Sequence, residues 1–205
     1  MCIRDRFIGV CLEIAKGEEN QTFLKMHFEE KEGLPQDSSG KGNHAVFSNA
    51  TYLPEGKVGG CLSFDGENDY VEIPSLKCSV FEKFEIQCWI YLQEYPKEGN
   101  YYGIVSNGYW NFPKSPGWEL GIDQNGTLFF LSTLGKWTRS NSKIPEEKWT
   151  HVKVEVDKNV VSIYLNGQLN AKKVYPEESE FRNVPERTIY IGSLRRGSDF
   201  FKGYI

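Results

Sequence analysis

The sequence predicts an all-β fold made of two antiparallel sheets facing each other. Three observations predict it. The 205 residues hold four Ala against 13 Phe, 11 Tyr, 5 Trp and 20 Gly, a balance that favours strands and turns over helices. Apolar residues recur with a period of two, and no stretch of ten residues has a helical period. Clusters of Gly, Asn and Asp separate the periodic segments. With 39% hydrophobic residues the chain has enough apolar surface for a core, which excludes global disorder.

Residues 1–6, Met-Cys-Ile-Arg-Asp-Arg, resemble a translated sequencing adaptor and stand outside the fold. Glu13–Asn20 is polar and reads as a linker. Residues 1–21 are therefore assigned to adaptor and linker, and 22–205 to one domain. From Thr22 the period is two, with Leu24, Met26 and Phe28 on one side. A breaker-rich loop follows through Asn43. Leu62 and Phe64 lead into the turn Asp65–Asp69 and a second short strand at Tyr70–Ile73. The clearest strand is Phe84–Leu92, where Phe84, Ile86, Cys88, Ile90 and Leu92 share one face.

Strands are also expected at Tyr101–Ser106, Trp118–Asp123 and Thr127–Ser132, the last two joined by an Asp-Gln-Asn-Gly hairpin signal. Trp149–Asp157 carries Val152, Val154 and Val156 in register. Lys158-Asn159 turns the chain into Val161, Ile163 and Leu165. Asn166-Gly167 is a type I′ turn leading to Gln168–Val174. Thr188–Ile191 and Phe200–Ile205 bring the total to about a dozen strands, which implies a sandwich or barrel.

Charge narrows function. Lys+Arg is 24 and Asp+Glu 28, a net charge of -4, whereas a nucleic-acid binder needs a basic face. No apolar run approaches the roughly 20 residues of a membrane helix.

Two stretches carry a family signature. One runs Asp37-Ser-Ser-Gly-Lys-Gly-Asn-His44, then Gly56-Lys-Val-Gly-Gly-Cys-Leu-Ser-Phe-Asp-Gly-Glu-Asn-Asp-Tyr-Val-Glu-Ile-Pro74. The other runs Lys148-Trp-Thr-His-Val-Lys-Val-Glu-Val-Asp157 into Ser162-Ile-Tyr-Leu-Asn-Gly167. Together they resemble the laminin-G-like jelly roll of the concanavalin A-like lectin/glucanase superfamily, over about residues 22–205. That fold hosts lectins, adhesion modules, accessory domains of secreted enzymes and some glucanases. The resemblance implies an extracellular or cell-surface setting and further domains in the same polypeptide. It also implies a last strand after Gly203-Tyr204-Ile205, so the domain reads as truncated there. It implies a structural calcium ion joining the Asp37 loop to an acid of that strand; an Asx turn at Asp37 is the alternative. Cys88 matches a position that forms a disulfide in the related pentraxins. Its partner would fall in Trp149–Asp157, which has no Cys, so Cys88 reads as a buried apolar residue. Pairing of Cys61 with Cys78 stays open.

Catalysis finds little support. The resemblance implies that a retaining glycosidase of this superfamily would need two carboxylates roughly 5 Å apart on one strand face, with a third acid between them. Glu155 and Asp157 have no third acid after them, and Gly121 lies between Glu119 and Asp123. All four read as solvated strand-face acids. No Gly-x-Ser-x-Gly elbow and no zinc spacing occur.

Ligand contact is the positive reading. The loop Asn107–Trp118 carries Asn107, Tyr109, Trp110 and Asn111, and rings with amides suit sugar C–H faces and hydroxyls. Trp118 begins a strand and reads as core. Trp89 and Tyr91 either line a sheet surface or sit under a loop. The sequence thus points to a non-catalytic module that recognises glycans or an extracellular protein. The rival classes are a structural or adhesion spacer and a glycoside hydrolase.

Overall fold

A computed structural model of the chain describes residues 12–16, 21–74, 83–107, 117–132, 136–176, 187–195 and 197–205. They hold sixteen strands, and no helix occurs among the described residues. Hence no helix among them is long and apolar enough to cross a membrane.

Sheet I contains β1 (Leu12–Lys16), β2 (Gln21–Met26), β4 (Thr51–Leu53), β5 (Cys61–Asp65), β7 (Lys83–Leu92), β12 (Trp149–Asp157), β13 (Val160–Leu165), β14 (Gln168–Val174) and β16 (Lys202–Tyr204). Its main order is β14-β13-β12-β7-β16-β5-β4, with β1 and then β2 on the same edge of β7 as β16. Sheet II contains β3 (Phe47–Ser48), β6 (Val71–Ile73), β8 (Tyr101–Ser106), β9 (Trp118–Asp123), β10 (Thr127–Ser132), β11 (Lys136–Lys143) and β15 (Ile189–Ile191). Its order is β11-β10-β9-β8-β15-β6-β3. Every strand pair within the two sheets is antiparallel. The result is a jelly-roll sandwich.

The predicted alternation places the core. Phe84, Ile86, Cys88, Ile90 and Leu92 of β7 and Val152, Val154 and Val156 of β12 are buried. They join one cluster with Leu120 and Ile122 of β9 and Leu128 and Phe130 of β10 from the opposite sheet. Each large aliphatic or aromatic side chain so buried stabilises the fold by roughly 1.5–3 kcal/mol relative to exposure. The hairpin between β13 and β14 has positive φ at both Asn166 (50°) and Gly167 (78°), as a type I′ turn requires.

Five elements depart from the sequence reading. Leu12–Lys16, expected within a linker, is β1: Ile14 is fully buried between Leu24 and Ile86, and Glu13 accepts hydrogen bonds from Thr22 and Gln87. Five residues running straight into the polar Gly17–Asn20 are too few to display a period. β11, Lys-Trp-Thr-Arg-Ser-Asn-Ser-Lys, has almost no aliphatic residue and forms because β10 offers it an edge. β3 and β4 are two- and three-residue edge strands. β16 is shorter than expected, at three residues.

Candidate ligand-binding surface

The aromatic loop predicted to meet ligand leaves β8 after Ser106 and re-enters at β9. Asn107 clasps its base. The Asn107 N–H donates to the Trp118 carbonyl at 3.0 Å, and the Trp118 N–H donates to Asn107 Oδ1 at 2.8 Å. Asn107 is buried, and its amide oxygen holds the loop ends together. Tyr109, Trp110 and Asn111 lie outside the described residues. Trp118 is core, as expected, with its ring 6.1 Å from Phe84. Its buried indole N–H has no hydrogen-bond partner among the described residues.

Beside that clasp, strand register draws a row across the outer face of sheet II. Phe47 pairs with Glu72, Glu72 with Tyr190, Tyr190 with Ser106, Ser106 with Glu119, Glu119 with Leu131 and Leu131 with Trp137. Partners in register share a face. At one end of the row Tyr70 gathers the rings of Phe47 (4.8 Å), Tyr190 (6.0 Å) and Phe200 (6.4 Å). At the other end Trp137 meets Phe129 at 5.0 Å and Tyr101 at 6.0 Å, and the Arg139 guanidinium stands 4.5 Å over the Trp137 ring.

The segment Gly192–Phe201 crosses this face and fixes its middle. Ser106 Oγ donates to the Leu194 carbonyl at 2.6 Å, and the Gly103 N–H donates to the Asp199 carbonyl at 2.7 Å. A Cβ on Gly103 would run into the Ser193–Leu194 backbone, so glycine is required by close approach. Arg195 Nε reaches Glu119 Oε1 at 3.3 Å. Glu119 is buried rather than solvated. Burial pushes its carboxyl above the ordinary value, Arg195 pulls it back, and Asp199 adds repulsion.

Asp123 is buried as well, which also corrects the solvated reading. It accepts from the Asn125 and Thr127 N–H groups, the Thr127 hydroxyl and Arg139 Nε at 3.2 Å. The other pair fits the expectation better: Glu155 is half-buried on Lys153 and Tyr164, and Asp157 is exposed beside Lys83. Each of the four carboxylates thus has a structural partner of its own.

The Asp37 carboxylate forms the Asx turn weighed above. Oδ1 accepts from the Lys25 and Ser39 N–H groups, and Oδ2 from the Asn43 N–H and the Ser39 hydroxyl. Burial pushes its pKa up, but these donors outweigh it and the net shift is downward. Four donors occupy about four lone-pair sites, so the carboxylate as arranged does not fit a cation ligand. Among the described residues no three His, Cys, Asp or Glu side chains converge as a metal set would. Cys61 and Cys88 are buried, with Cys88 in register with Val152; Cys78 lies outside the described residues. Burial raises the Cys61 thiol to about 11.

On sheet I, Trp89 and Tyr91 are half-buried. Tyr91 stacks on Tyr204 at 5.1 Å and meets Trp149 at 5.7 Å, while Trp89 lies 5.1 Å from His151 with the Lys57 ammonium above it. Asn107 was legible from sequence as part of the loop. Glu119–Arg195, Tyr190 and Ser106 were not recognised as a surface, because strand register brings them together from three separate segments and the crossing loop.

The Laminin_G_3 family model, of the concanavalin A-like lectin/glucanases superfamily, matches residues 65–205. The chain belongs to this family. No curated protein matches it by sequence. Among solved structures it is similar to domain 4 of AbnA, a GH43 extracellular arabinanase from Geobacillus stearothermophilus, in complex with arabinotriose: 20% identity, TM-score 0.62, 82% of each chain covered. It is similar to the Trypanosoma rangeli sialidase in complex with sialic acid, at 16% identity and TM-score 0.63, over 95% of this chain and 29% of the sialidase. It also resembles mouse laminin α1 chain domains LG4-5, at 19% identity and TM-score 0.50, over 74% of this chain and 38% of that one. The chain thus spans well under half of the last two. These likenesses show the fold.

Proposed function

We propose that this member of the concanavalin A-like lectin/glucanase superfamily is a non-catalytic glycan-recognition module, displayed outside the cell within a larger polypeptide. Its ligand lies at the Tyr70 end of the row on the outer face of sheet II. The observation that carries this reading is the accessible ring cluster at the end of that row, where Tyr70 gathers Phe47, Tyr190 and Phe200. Rings take the C–H faces of a sugar, and the partly exposed Arg195 guanidinium on the same face offers donors to its hydroxyls. Tyr109, Trp110 and Asn111 are included in the proposed ligand set on their chemistry, rings and an amide suited to a sugar. The arabinotriose complex of a similar domain supports a saccharide ligand. The non-catalytic part rests on the carboxylates: Glu119 and Asp123 are held by Arg195 and Arg139 with Gly121 between them.

Affinity electrophoresis against a panel of neutral polysaccharides tests this. At least one polysaccharide retards the wild type, and Tyr190→Ala and Trp110→Ala each reduce the retardation at unchanged melting temperature. Migration unaffected by every polysaccharide removes the proposal.

A further inference from the structure

We infer that the seam between β11 and β14 is a second binding site, which takes an acidic saccharide through its uronate carboxylates. The inference rests on the glycan-recognition reading but places a different ligand at a different surface.

β11 is the edge of sheet II and β14 the edge of sheet I. The two edges are tied at two places. At one, Asn170 Oδ1 accepts from the Asn141 N–H at 2.7 Å, and Asn170 Nδ2 donates to Ser142 Oγ at 3.0 Å. At the other, Lys173 Nζ donates to the Trp137 carbonyl at 2.9 Å, and Thr138 Oγ1 meets the Tyr175 hydroxyl at 2.7 Å. Trp137, Thr138, Arg139, Asn141, Lys172 and Lys173 line a groove of about 330 Å³ there. That is near the lower end of the roughly 300–1,000 Å³ range of small-ligand sites.

The charge at this seam is opposite to that of the chain. β11 and β14 carry Lys136, Arg139, Lys143, Lys172 and Lys173 and not one acid, in a protein of net charge -4. Asp123 offsets Arg139 from β9. The Tyr175 ring gathers Lys136 at 5.2 Å and Lys173 at 5.0 Å, which brings two like charges to one end of the groove. Lysines are point charges that meet a carboxylate without demanding bidentate geometry. Asn141, exposed on the groove wall, adds an amide suited to hydroxyls. A polar groove with cations fits a sugar acid better than an apolar ligand.

Calorimetric titration of the full chain with trigalacturonate, and with galactotriose as neutral counterpart, decides the matter at about 20 mM and about 300 mM NaCl. Trigalacturonate binds at the lower salt and weakens at least about tenfold at the higher, because exposed charges are screened. Lys172→Glu with Lys173→Glu costs at least about tenfold in affinity; Lys172→Glu alone, which keeps the Lys173–Trp137 bond, costs severalfold. Tyr190→Ala leaves trigalacturonate binding unchanged, which separates this site from the aromatic row. Three results overturn the inference: no trigalacturonate binding at low salt, binding unaffected by Lys172→Glu, or equal binding of polyglutamate. Retained binding of neutral polysaccharides in that event leaves the proposed function intact.

Discussion

β7 and β9 are both central strands with apolar residues at every second position, yet their outer faces have opposite fates. β7 alternates buried and half-buried along its whole length, whereas β9 is buried at all six positions. On β7 the outward Glu85 pairs with Lys153 at 2.9 Å and remains partly open to water. On β9 the outward Glu119 pairs with Arg195 beneath the segment Gly192–Phe201. Both are carboxylate–cation pairs at short range, one to an ammonium at 2.9 Å and one to a guanidinium at 3.3 Å. What differs is whether a crossing segment covers the face, and that decides which pair matters energetically. Open pairs are worth about 0–1 kcal/mol, while a buried partner left alone costs far more.

Four perturbations sharpen that contrast. The largest effect belongs to Gly103→Val, because the crossing backbone leaves no room for a side chain. Urea unfolding should show a loss of about 3 kcal/mol, near the upper end for overpacking; a loss below about 0.5 kcal/mol would mean the segment lifts off easily. Next comes Arg195→Ala, which removes the cation from the buried Glu119 carboxylate and should cost about 1–3 kcal/mol. Its counterpart Glu85→Ala should cost under about 1 kcal/mol. Equal losses would erase the distinction between the faces.

Smaller still is a pH effect of opposite sign on the two sheets. His151, on the outer face of sheet I, is pushed from 6.5 to about 4, chiefly by burial and then by Lys153. The unfolded chain therefore takes up this proton first as pH falls. The stability that neutral His151 contributes is complete above 6.5 and is lost between there and about 4. For Glu119 the folded form takes up the proton first, because its pKa is raised. Its contribution is present at acid pH and lost as pH rises through the folded titration. His151→Phe should lessen acid destabilisation by about 1–2 kcal/mol, and Glu119→Gln should steepen it. Unfolding curves taken from neutral to acid pH check both signs. The smallest effect is Lys83→Ala on open β7, within about 0.5 kcal/mol in the same unfolding assay.

Much of this architecture was legible before any coordinates. Phe84 to Leu92, Val152 to Val156 and the Asn166-Gly167 turn announced themselves through period and turn chemistry, and each took the expected place. The candidate surface was legible only in part. Asn107 was singled out with its loop, but its amide turned out to close the loop base. Glu119 and Asp123 were read as solvated, because alternation places a side chain on an outer face and says nothing about what crosses it. β1 and β11 escaped notice because one is very short and the other almost without aliphatics.

The amino-acid order by itself determined the two-layer sandwich, since residue-by-residue alternation fixes which side chains leave water whatever the partners. Only the tertiary structure decided which outer face is covered, which carboxylates are buried and which edge strands meet at a cationic seam. Those outcomes depend on segments far apart in sequence, such as Glu119 and Arg195, whose meeting is set by strand order and register rather than by any local pattern.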